Sequence, residues 1–118
     1  MDRCEKINFM GAERLATLNS RAIVELKADG IDVMRGWDAN DFETLVKIIY
    51  HVLQAGDKWA KRCGAENPEP PTMDEILDGT DLTDFEGIDE KLVKVIQGRR
   101  EVEAKPNRKN AEAAQSGK

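Results

Sequence analysis

Asn40-Asp-Phe-Glu-Thr-Leu-Val-Lys-Ile-Ile-Tyr-His-Val-Leu-Gln-Ala-Gly56 is the longest strongly apolar run in the chain with a signal at both ends. Asn40 is placed to cap a helix and Glu43 follows it at the capping-box spacing. Asp41 adds negative charge to the first turn, and Gly56 suits a left-handed stop. Phe42, Leu45, Ile49 and Val52 or Leu53 fall on one helical face, which Val46 and Ile48 widen beyond a narrow stripe. The spacing predicts a central helix covered on more than one side.

Toward the N-terminus, Leu15, Leu18, Ala22, Ile23 and Leu26 step by three and four, which predicts an amphipathic helix from Gly11 to Gly30. A second arrangement fits the same residues: Asn19 and Ser20 start the helix, and Ile7 to Thr17 form a hairpin turning at Met10-Gly11. Residues 1–10, where Ile7 and Phe9 alternate with polar neighbours, read as a short strand or a flexible arm. Gly30 to Met34 is a tight apolar connection, and Trp37 stands near the staple position before the central helix.

After Gly56, Asp57 to Cys63 reads as one or two further helical turns, with Trp59 as its large apolar residue. The prolines at 68, 70 and 71 make a loop of 64–71, because they remove backbone donors and disfavour helix before them. Thr72 and Glu75 form a capping box for a short helix ending near Gly79, and Thr83 with Glu86 repeats the spacing. Phe85, Ile88, Leu92, Val95 and Ile96 then predict a last helix to about Glu103. Residues 105–118 contain no aromatic or branched aliphatic side chain and are expected to be a disordered tail. Charge is segregated along this half. Residues 65–90 hold ten acidic and no basic residues, and 91–118 hold eight basic and three acidic, a change from -10 to +5 that favours attraction within or between copies.

At 118 residues the chain is expected to form one domain with a modest core. The net charge of -5 argues against a nucleic-acid footprint over the whole domain. Cys4 and Cys63 lack a CxxC spacing and are expected to be free thiols in a reducing compartment. No apolar run approaches the roughly 20 residues that span a bilayer, so a soluble, intracellular protein is expected.

The sole histidine, His51, beside Tyr50, has no Cys or second His at ligand spacing and reads as a partly buried helix residue. Cys63 near Lys61 and Arg62 reads as an ordinary thiol at a helix end. The acidic run Asp78 to Glu90 fails the calcium-loop pattern from either start: Thr83 stands where the glycine is needed from Asp78, and Leu92 where the glutamate is needed from Asp81. No GxGxxG, P-loop or GxSxG occurs. No catalytic residue, cofactor or metal site is expected. A small helical DNA-binding regulator is the competing class, although the central helix carries only Lys47 and Gln54 in its body to read bases.

Four pieces in order give the chain its likeness to known proteins: Asn19 to Gly30 followed by Ile31 and Val33; Leu45 to Gly56, closing on Tyr-His-Val-Leu-Gln-Ala-Gly; the Thr72-capped segment Pro70 to Asp78; and Phe85 to Ile96 before a polar tail. In this order of caps and apolar positions the chain resembles the small tail assembly chaperones of long-tailed, siphovirus-type bacteriophages and prophages. It departs from that pattern at Asp57-Lys58-Trp59, where the family pattern has another apolar residue after the glycine, and at the N-terminus. The resemblance implies a non-enzymatic role in the host cytoplasm: binding the long, aggregation-prone tape measure protein while tail tube protein polymerises around it, with self-association into a multi-copy array.

The expectation drawn from all of this is an all-α fold, a single-domain bundle of about four to five helices over residues 1–104 with a disordered tail at 105–118. Neither nucleic acid nor membrane is an expected partner. The candidates to face a client or a neighbouring copy are Trp37, Trp59, Met34, Met73 and Phe85, large side chains that flank helices in a domain too small to cover them all.

Overall fold

The computed structural model describes residues 4–104, so the expected tail at 105–118 lies outside the described residues. The chain begins with a β-hairpin and continues as four α-helices, a mixed α and β fold in place of the expected all-α bundle. The strands β1 (Glu5–Phe9) and β2 (Ala12–Ala16) pair antiparallel, with Phe9 opposite Ala12 and Glu5 opposite Ala16. Both turn residues have positive φ, Met10 at 52° and Gly11 at 79°, as a two-residue turn of the I′ kind requires. The hairpin displaces the expected helix start at Gly11. Asn8 and Glu13, paired across the hairpin, are exposed, while Ile7 and Phe9 of β1 are buried.

Helix α1 (Ser20–Ala28) starts at Asn19, whose side chain accepts a hydrogen bond from the Ala22 amide at 2.8 Å. It ends in a Schellman motif: Gly30 at φ 88° donates to Lys27, and Ile31 donates to Leu26. Both Leu26 and Ile31 are buried, which supplies the hydrophobic contact that accompanies this stop.

Helix α2 (Phe42–Cys63) is the centre of the molecule, with Ile48, Ile49, Val52 and Leu53 sealed from solvent. Its cap is Asp41, one residue beyond the expected Asn40, and the helix continues through Gly56 to a left-handed Gly64 at φ 74°. Gly56 is therefore an interior helix residue. It is small because α2 rests directly on β2: a Cβ there would overlap the Leu15 carbonyl and stand 2.7 Å from the Ala16 nitrogen. The Thr17 amide donates to the Val52 carbonyl at 3.1 Å beside this contact.

The proline-rich loop lies along β2. Asn67 accepts from the Leu15 amide at 2.9 Å and donates to Asp57 of α2 at 3.1 Å, and the Gln54 side chain donates to the Pro71 carbonyl at 3.3 Å. An amide of the β2 edge is thereby satisfied by a side chain and withdrawn from pairing with other chains. Helix α3 (Met73–Gly79) has the expected capping box, with Thr72 and Glu75 bonding reciprocally at 3.1 and 2.9 Å. The second box is built from Asp81 and Asp84 instead of Thr83 and Glu86, and it opens a 3-10 turn, Leu82–Phe85. Helix α4 (Ile88–Ala104) closes the core with Ile88, Leu92, Val95 and Ile96, and touches β1 and α2.

Candidate functional site

Four of the five candidate contact residues are held by the fold itself. Phe85 is buried and meets two other rings edge-on, Phe9 at 5.4 Å and Phe42 at 4.8 Å between centroids. Trp37 is partly buried against the core, and its indole N–H donates to the Asp89 carboxylate at 2.9 Å, tying the α1–α2 connection to the first turn of α4. Met34 and Met73 are likewise partly buried against the core. Trp59 differs, since it lines an open cleft with Thr17, Leu18, Asn19, Ala55, Lys58 and Arg62. The five residues thus do not gather into one surface.

The Trp59 cleft, of about 100 Å³, adjoins a second of about 180 Å³ between α1 and α2, with Asn19, Ala55 and Lys58 common to both. The second cleft adds Arg21, Ala22, Glu25, Tyr50, His51 and Gln54. Together they form one groove along the outer side of α2. The periodicity of the helix explains the lining: His51, Ala55, Lys58 and Arg62 succeed one another at steps of four, three and four.

Across the groove Glu25 of α1 holds two partners from different elements, Arg21 at 3.1 Å and the His51 Nδ1 at 3.4 Å. The His51 ring also meets Tyr50 edge-on at 5.1 Å. Burial pushes the His51 pKa below its ordinary value, against the opposing pull of the Glu25 and Asp29 carboxylates. His51 is thereby kept as a neutral ring at neutral pH, bridging the two helices. The Glu25 to His51 contact spans the α1–α2 connection, and no local pattern announced it.

A second polar cluster lies at the other side of α2. Asp57 is buried, accepts from Asn67 and pairs with Lys61 at 2.9 Å, an arrangement that raises the Lys61 pKa. Arg14, buried at the end of the hairpin, donates to the carbonyls of Phe9 at 2.7 Å, Glu69 at 2.8 Å and Met10 at 3.4 Å. These side chains tie the loop and hairpin to α2. Among the described residues no group of three or more His, Cys, Asp and Glu side chains is placed to hold a metal ion. Cys4 is buried and Cys63 exposed, and they are not joined to each other.

Large apolar side chains also reach solvent. Leu82 of the 3-10 turn is 71% exposed, Leu77 of α3 is 56% exposed, and Val24, Val93 and Phe42 are exposed to lesser or similar degrees. Among the described residues no helix is long and apolar enough to cross a membrane. Comparison with models of protein families, with curated proteins and with solved structures finds no match for this chain.

Proposed function

We propose that this protein is a non-enzymatic tail assembly chaperone of a long-tailed phage or prophage, working in the host cytoplasm, which binds the tape measure protein and promotes polymerisation of the tail tube around it. The proposal rests on the resemblance of the four sequence pieces. The structural observation that best supports it is Trp59, a large aromatic residue left in an open groove beside the core helix, with further apolar surface at Leu77 and Leu82. A partly covered aromatic side chain beside a groove is a fitting anchor for a helical client, because such residues bury large area at small entropic cost.

The corresponding test is Trp59→Ala measured against a co-expressed tape measure protein. Client binding falls while helicity by circular dichroism and the melting transition stay near wild type. Collapse of the fold in this variant would make Trp59 a core residue and remove it as a client contact. Salt-dependent retardation of DNA in a gel shift, with no client binding, would favour the regulator class instead.

A further inference from the structure

The groove on α2 has a chemistry of its own. Lys58 and Arg62 stand four residues apart on its wall, both exposed, and neither makes an ion pair or hydrogen bond among the described residues. The neighbouring cations on α1 and α2 are matched, Arg21 with Glu25, Lys47 with Glu43 and Lys61 with Asp57, so Lys58 and Arg62 are the groove's two unpaired cations. Trp59 lies between the two free cations in sequence and lines the same cleft. Glu25 is the one carboxylate in the groove lining, and it is already engaged by Arg21 and His51. The groove therefore presents two unmatched positive charges and an aromatic face on a chain whose net charge is -5.

We propose that this groove is a docking site for an acidic helical segment of a partner protein. Two cations four residues apart on one helix are separated by about 6 Å along its axis. A partner helix laid alongside presents carboxylates at the same four-residue spacing, so both pairs form together, and an apolar side chain between them rests on Trp59. Phosphate backbones are the weaker match, because a nucleic-acid groove needs a longer run of cations than two and a domain without net negative charge. The inference concerns the chemistry of the groove and does not rest on the client being a tape measure protein.

The test uses the full chain and two labelled helical peptides: one with two glutamates four residues apart around a leucine, and its twin with glutamines in their place. The glutamate peptide binds, changes the Trp59 fluorescence of a Trp37→Phe chain and weakens as salt is raised, whereas the glutamine twin binds more weakly. Lys58→Gln with Arg62→Gln lowers affinity for the glutamate peptide about tenfold, and the charge-preserving Lys58→Arg keeps it. Equal binding of the two peptides to the wild-type chain, or undiminished binding to the folded double variant, overturns the proposal. So does displacement of the peptide by a single-stranded oligonucleotide at matching concentration, which would make the groove a phosphate site.

Discussion

Gly56 of α2 and Leu15 of β2 meet backbone to backbone, with no room between them for a side chain. The contact sets how closely the central helix sits on the hairpin, and it places Thr17 within hydrogen-bond reach of Val52. An alanine at 56 gains about 1 kcal/mol of helix propensity but forces β2 away from α2, a cost of about 3 kcal/mol for overpacking against backbone. Gly56→Ala therefore lowers stability by about 2 kcal/mol in a urea titration. An unchanged or higher midpoint would mean that the helix and strand are not in this contact.

Asn67 serves two elements at once, accepting from the Leu15 amide and donating to the buried Asp57 carboxylate. Asn67→Ala leaves a strand amide without this acceptor and removes a donor from a buried charge, which Lys61 continues to pair. The expected loss is about 2 kcal/mol, from the range for uncompensated polar groups. Hydrogen exchange at the Leu15 amide reads the same event locally: it quickens in the variant relative to other β2 amides.

Trp37 is a structural anchor through its bond to Asp89. Trp37→Phe keeps an aromatic side chain but deletes the indole N–H and the pyrrole half of the ring system, so stability falls by about 1–2 kcal/mol while groove binding is untouched. Loss of client binding at unchanged stability would return Trp37 to the contact surface.

His51 gives the fold an acid sensitivity with a definite sign. Its folded pKa is lowered by burial, so the unfolded chain binds the proton more readily, and stability rises with pH in that range. The contribution is intact above the ordinary histidine value of about 6.5 and is lost as pH falls from there toward the lower folded value. The groups acting on the ring are Glu25 and Asp29, which pull the pKa upward. Glu25→Gln removes the larger of these, so the folded pKa drops further and melting temperature falls more steeply on acidification. NMR titration of the His51 ring checks the direction in both proteins.

Much of the helical part was legible because its signals are local. Thr72 and Glu75, Asn19, and the Leu26, Gly30, Ile31 stop all act within one turn of chain. The hairpin competes with a helix in the sequence, for two physical reasons. Its turn is Met10-Gly11 where asparagine or aspartate commonly precedes the glycine, and β2 places Arg14 on the face shared with Ile7 while Leu15 turns away. That exchange spoils the alternation of a strand and leaves Leu15 in step with Leu18 and Ala22, which mimics a helix. Gly56 misled in the same way, because a glycine that permits a close approach and one that ends a helix look alike in sequence. Of the candidate contacts, Trp59 stands out in the sequence as the large apolar residue among polar neighbours, and the fold leaves it lining a cleft. The pairings of Trp37 with Asp89 and of Glu25 with His51 join elements far apart in sequence, where no spacing rule reaches.

Co-expression of this chain with a phage tape measure protein tests the proposed function most directly. The proposed function predicts that with this chain present the tape measure protein stays in the soluble fraction and co-elutes with it on size exclusion, and that the Trp59→Ala variant loses that effect while remaining folded. A tape measure protein that precipitates equally with and without this chain would contradict the assignment.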